Sequence, residues 1–181
     1  MNTGEHGWTD ADRVVVAASL GRVPVGVIGV VARRPGGSPT VIMNSPLQHE
    51  PGGCVPFPTL YWLVDPVLNT LISDIERQGA VREIESVLAA DDALMKQHLA
   101  DNDAYAKSRW ACMNIEDEDD AERQGLTMVL MTSGIGGVAN HASVKCLHAQ
   151  YAYHLARLAA RKNGTTVGRL MDERYGTRLS L

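Results

Sequence analysis

The chain is short of most patterns that announce a function. Aromatic residues make up 5% of its 181 positions, with a single phenylalanine, so a core must rest on Val, Ile, Leu, Ala and Met. Cysteine occurs three times, at Cys54, Cys112 and Cys146, in no paired spacing. An odd count of this kind fits a reducing compartment better than a disulfide framework. No run approaches the roughly 18 apolar residues that a membrane-spanning helix needs. The opening MNTGEHGWTDADR lacks the basic-then-apolar layout of a secretory signal. Together these absences make a cytoplasmic location the expectation. Net positive charge is also missing. At −4, the chain carries no broad electrostatic footprint for nucleic acid. There is no Walker spacing, no GxGxxG, no nucleophile elbow and no carboxylate dyad. No motif names a cofactor.

What is present is ordinary globular material, 45% apolar and 21% charged. The simplest organisation is one domain over residues 1–181, with a strand-rich portion at 1–64 and a helical portion at 65–181. Thr9 or Asp10 caps a helix that Gly21 stops. Val25–Arg33 and Thr40–Met43, joined by Pro35-Gly36-Gly37-Ser38, read as an antiparallel hairpin. Residues 44–58, rich in proline and glycine, read as a rigid loop leading into a third strand at Thr59–Val64. Asp65-Pro66 starts a helix to about Gln78. Further helices are expected over Val81–Leu88 and from Asp91 or Asp92 to about Cys112. The acidic stretch Asn114–Glu122 reads as a solvated loop or helix start. Leu126–Met131 is too short for its period to decide. A long helix is predicted over His141–Arg161, and a short one over Val167–Tyr175. The fold class is therefore α+β, a small antiparallel sheet of about three strands covered by helices.

One local pattern suggests chemistry. Ser133-Gly134-Ile135-Gly136-Gly137 bends the backbone and exposes its N–H groups, and the predicted helix from His141 follows. A helix N-terminus adds unpaired donors and partial positive charge, a setting for an anion. On that helix Val144, Leu147, Tyr151, Leu155 and Leu158 form the core stripe. His141, Lys145 and His148 fall on a strip beside it. Lys145 can neutralise a phosphate or carboxylate, and His148 can donate to it or act as acid or base near neutral pH. A straight helix puts Cys146 about 160° from His148. That separates the two as a metal pair, so no metal ligand is assigned, and zinc would need a distant His49 or Cys54. On the preceding helix, Asn102, Tyr105 and Arg109 share a second strip. Arg109 offers a fork for a carboxylate or phosphate.

The segment Pro56-Phe57-Pro58-Thr59-Leu60-Tyr61-Trp62-Leu63, followed far downstream by Lys145-Cys146-Leu147-His148, resembles a bacterial family known only as domain of unknown function 501. Leu20-Gly21-Arg22-Val23-Pro24, Arg33, Tyr105 with Arg109, and Gly136-Gly137 keep the order of that resemblance. It implies a bacterial cytoplasmic protein and supplies no reaction. It also gathers the polar residues into one expected pocket for a small anion, phosphate- or nucleotide-like. Lys145, Arg109, Arg33, Thr59, Tyr61 and the Ser133, Gly134, Gly136 and Gly137 turn would bind the anion there. His148 and Tyr105 are the candidate catalytic pair, with enzyme status left open. Two alternatives stand beside this. One is a non-enzymatic module whose proline loop docks a protein partner or a second copy of the chain. The other is a zinc-binding protein.

Overall fold

The computed structural model describes residues 7–179. The first six residues of the N-terminal segment read above lie outside the described residues. Helix α1 (Asp10–Leu20) begins with a reciprocal cap. The Thr9 hydroxyl accepts the Asp12 N–H, and the Asp12 carboxylate accepts the Thr9 N–H. Gly21, at φ 68, ends the helix in a left-handed conformation that costs glycine little.

Strands β1 (Val27–Arg33) and β2 (Pro39–Asn44) form the expected antiparallel hairpin. The expected loop at 44–58 is instead interrupted by a second hairpin, β3 (Leu47–Glu50) with β4 (Gly53–Pro56). Its prolines stand where they cost no ladder bond inside a strand: Pro51 in the turn and Pro56 at the strand end. Gly52, at φ 106, makes the turn possible. Strand β5 (Tyr61–Leu63) then pairs antiparallel with β2, giving the order β1-β2-β5.

All six residues of the central strand β2 are buried. Their period of two explains how. Ile42 joins Val16, Val30 and Val64 under α1, while Val41 and Met43 point into the clusters on the opposite face. A sheet covered on both faces needs this apolar centre.

Helix α2 (Pro66–Arg77) starts where Asp65 accepts the N–H groups of Val67 and Leu68, both at 3.0 Å. Helices α3 (Ala80–Ala90), α4 (Asp92–Ala111), α5 (Ile115–Arg123) and α6 (Thr127–Thr132) follow. The acidic stretch is thus a helix, capped by Asn114, with Glu116, Asp117 and Glu118 in its first turn, where the helix dipole favours them. Helices α7 (Leu147–Ala159) and α8 (Thr166–Leu179) complete the chain. α7 lies on β5 and also touches β1 and β2. Leu68, Ile72, Ile84, Leu88, Leu147, Ala152 and Val167 are fully buried around it. Each large aliphatic side chain there contributes about 1.5–3 kcal/mol by leaving water. The α+β expectation holds: a three-stranded sheet and a small hairpin precede a mostly helical part that packs on the sheet. Among the described residues, no helix is long and apolar enough to cross a membrane.

One element is corrected. The helix predicted from His141 begins only at Leu147. The N–H groups just before and at its start go to carboxylates from other helices. Val144 donates to Glu85 at 2.9 Å and Leu147 to Glu76 at 2.6 Å. Asn102 also donates to the His141 carbonyl at 3.2 Å. These partners hold the segment before Leu147 out of the helix, with Cys146 extended, and none is visible in local periodicity.

Two ion pairs staple the N-terminal part. Arg33 grips Asp12 with both guanidinium nitrogens, at 2.7 and 2.9 Å. That contact holds the Asp12 carboxyl far below its usual range, against the opposing effect of burial. Arg34 grips Asp65, the α2 cap. Burial raises the Asp65 value, but the Arg34 bonds and the capped N–H groups outweigh it, so the net direction is down. A depressed carboxylate stabilises the fold above its unfolded pKa, and that contribution fades as pH falls. The urea midpoint should therefore drop steadily below about pH 4, where unfolded aspartates take up protons. D12N should start lower at neutral pH and lose less on acidification. An equal acid slope in both proteins would remove Asp12 from this role.

Candidate functional site

The α4 strip is where the sequence and the structure part most sharply. His98, Asn102, Tyr105 and Arg109 are all fully buried. Asn102, Tyr105 and Arg109 bind the protein's own backbone. Arg109 donates to the carbonyls of Leu130 at 2.7 Å, Pro58 at 2.8 Å and Ser133 at 2.6 Å. Burial lowers its pKa, and the nearby Tyr105 ring, 5.6 Å from the guanidinium carbon, partly compensates. Tyr105 accepts the Leu60 N–H at 2.7 Å, and burial pushes its phenol up. Asn102 accepts the Ile135 N–H at 2.8 Å. The strip therefore clamps the proline loop and the glycine turn to α4.

The turn itself is largely self-contained. Gly134 donates to the Val138 carbonyl at 2.8 Å and Gly137 to the Gly134 carbonyl at 3.0 Å. Gly136 and Gly137 take φ of 73 and 75, as the bend requires. The turn does not open onto a helix N-terminus, because α7 starts ten residues after Gly137. Arg33 is held by Asp12, as above. Lys145 is exposed, and His141 lies between the Thr132 carbonyl at 2.7 Å and Asp103 at 3.1 Å.

The structure does bring Thr59, Tyr61 and His148 to one place. They line a cavity of about 480 Å³ between β5, α2 and the start of α7, together with Trp62, Asn69, Ser73 and Cys146. Tyr61 forms part of its wall because it stacks on Tyr153, centroids 5.6 Å apart, with Tyr105 packed edge-on. Among the described residues, no lysine or arginine lines this cavity.

The late start of α7 transforms the chemistry here. Cys146 is the extended N-cap residue rather than a helical one. Its Sγ lies 3.8 Å from His148 Nδ1, not on the opposite side of a helix. The separation of Cys146 from His148 inferred from a straight helix is thus corrected. Glu76 joins them: its Oε2 is 3.3 Å from the same nitrogen, while its Oε1 holds the Leu147 N–H. The three ligand atoms lie within 4.8 Å of one another.

The tautomer follows from the other side of the ring. His148 Nε2 faces the Asn69 carbonyl at 3.1 Å and the Ser73 hydroxyl at 3.2 Å. A carbonyl only accepts, so Nε2 carries the hydrogen. Nδ1 then turns toward a thiol sulfur and a carboxylate oxygen. Two such groups can share one imidazole nitrogen only around a proton or a cation. With a proton there, His148 is pushed up to about 9, first by Cys146 and, against burial, by the Asn69 carbonyl and Glu76. A Cys–His–acid relay would place thiol and acid on opposite ring nitrogens. Here both face one.

Glu76, Asn69 and Ser73 were not singled out in the sequence. Their signal was available: positions 69, 73 and 76 are spaced four and three apart, which aligns three polar residues along α2.

These features describe an α+β protein with a Cys/His/Glu cluster, of which Cys146 and His148 line a cavity. The chain belongs to the family described as Protein of unknown function (DUF501), whose model matches residues 30–173. The match includes Glu76, Cys146 and His148 and every cavity-lining residue except Leu20. No curated protein and no solved structure matches the chain.

Proposed function

We propose that this protein holds a small anionic molecule in the cavity between β5, α2 and α7, through a zinc-class cation bound by Glu76, Cys146 and His148. The convergence of Oε2, Sγ and Nδ1, with Cys146 and His148 on the cavity wall, carries this reading. Thiolate, imidazole and carboxylate together select a borderline-soft divalent ion. Tetrahedral zinc keeps its ligand atoms roughly 3.3–3.6 Å apart, from bond lengths near 2.0–2.3 Å. The separations of 3.8 and 3.3 Å from Nδ1 are close to that already. The Asn69 carbonyl orients the imidazole from behind, and the Leu147 N–H orients the carboxylate, as outer partners do in metal sites. Three protein ligands leave a fourth position, the arrangement of a site that takes an exogenous ligand.

The cation also supplies what the lining lacks. Among the described residues, a small anion in this cavity meets no lysine or arginine beside the ligands, only neutral polar groups such as the hydroxyls of Thr59, Tyr61 and Ser73. The metal ion is then the positive charge that Lys145 and Arg109 were expected to provide.

The test uses full-length protein purified without an affinity tag. After chelator treatment and zinc titration, C146S should bind one equivalent less than wild type. Inorganic phosphate should raise the thermal midpoint of zinc-loaded wild type and leave loaded C146S unmoved. Equal zinc uptake by the two proteins would remove the cation. A phosphate shift that is the same with and without zinc would remove its role in holding the anion.

A further inference from the structure

A second cluster of the same chemical kind stands apart from the cavity, on the β3–β4 hairpin and α5. His49 and Cys54 are direct cross-strand partners in that hairpin, so the register sets their side chains facing each other. Cys54 Sγ lies 3.3 Å from His49 Nδ1. Asp120 of α5 approaches both: its Oδ2 is 3.8 Å from Nδ1 and 3.9 Å from Sγ. The first separation matches the ~3.3–3.6 Å edge of a tetrahedral zinc site with one sulfur ligand, and the two to Asp120 lie slightly above it. The far side of the ring is also fixed. His49 Nε2 lies 2.7 Å from Asp117 Oδ1, so the carboxylate takes its hydrogen and leaves the Nδ1 lone pair turned toward sulfur and Asp120. The other Asp120 oxygen is held by Arg123.

We infer that His49, Cys54 and Asp120 form a second zinc-class site, oriented by Asp117, that clamps the β3–β4 hairpin to α5. This inference stands without the cavity reading, because it shares no residue with it. Binding zinc releases the Cys54 thiol proton to solvent and makes three protein bonds, with water completing the tetrahedron. The neighbourhood suits a clamp. Cys54 N–H already donates to Gln124 Oε1 at 2.9 Å, just past the end of α5. Beneath it, Leu47, Met113, Ala121 and Leu130 make a small buried cluster of their own. A short two-stranded hairpin is marginal alone, so a cross-link to a helix has a clear physical use. The acidic residues of α5 favour a cation electrostatically, but their carboxylates alone would not choose zinc. The thiol and imidazole make that choice.

Zinc and cobalt titrations of full-length wild type, C54S, H49Q, D117N and C146S test this. C54S and H49Q should each lose one equivalent relative to wild type, and C146S should retain it. Cobalt-loaded C146S should still show thiolate-to-metal charge-transfer absorption, which C54S/C146S lacks. D117N should keep the site with an affinity lower by about tenfold to a hundredfold, the usual effect of removing a ligand's outer partner. Zinc should also slow proteolysis across residues 44–58 in C146S. If C54S binds as much zinc as wild type, the inference is wrong. It is equally wrong if H49Q retains the equivalent that C54S loses, since the ion would then be held by the thiol without its imidazole. Circular dichroism matching wild type qualifies each variant. Should C54S misfold, H49Q and D120N carry the same comparison.

Discussion

Arg109→Met is expected to lower stability by about 4 kcal/mol, a large share of the 5–15 kcal/mol typical of a domain. The methionine fills much of the space but offers no donor. Three carbonyls, from Pro58, Leu130 and Ser133, then lose their partner together. Each buried orphan costs about 1–3 kcal/mol. Part is returned because a buried charge no longer has to be kept from water. Those carbonyls belong to two stretches of chain far apart in sequence, so the loss should spread across the proline loop and the end of α6 where it enters the glycine turn. R109K should recover only part, because one ammonium cannot span the positions that a planar fork reaches. Urea unfolding followed at an unchanged m-value measures the effect. A wild-type midpoint for R109M would end the account of Arg109 as a strap.

Gly168→Ala is expected to destabilise by about 3 kcal/mol, although alanine at an ordinary helical position stabilises by up to about 1 kcal/mol. The reason lies on α7. A Cβ at residue 168 of α8 would overlap the His154 ring and its Cβ, and a Cβ at Gly164 would overlap the same ring from its other end. The imidazole has no room to yield. Its Nδ1 accepts the Thr165 N–H at 3.0 Å, and its Nε2 binds Asp172 at 2.9 Å. Asp172 is also held by the Tyr151 hydroxyl at 2.8 Å. Overpacking of this kind forces α7 and α8 apart. In a double-mutant cycle, His154→Gly, which removes the Cβ together with the ring, should relieve most of the Gly168→Ala penalty, giving a strong favourable coupling. Additive losses would mean that the clash is not with His154.

Much of the fold was legible because the signals are local. Thr9, Gly21 and the Asp65-Pro66 pair mark helix ends through bonds made within a few residues. The hairpin of β1 and β2 follows from two β-branched runs and one turn. The β3–β4 hairpin was harder, since prolines at 46, 51 and 56 resemble a loop until their positions at turn and strand ends are seen. The cavity was legible only in part. Thr59, Tyr61 and His148 meet there, but Glu76 comes from a helix seventy residues before the motif it joins. The polar strip of α4 was real as a pattern, and its partners proved to be backbone carbonyls and N–H groups of this same chain.

What the sequence by itself determined is the α+β class, the helix caps, the apolar faces and the family to which residues 30–173 belong. Each depends on neighbours close in the chain or on a pattern carried along it. Tertiary structure decided where α7 begins, because Glu76 and Glu85 take N–H groups that a longer helix would have used. That one displacement turned Cys146 back toward His148. A separation computed along a helix became a 3.8 Å approach at its cap, and with it the chemistry of the cavity changed.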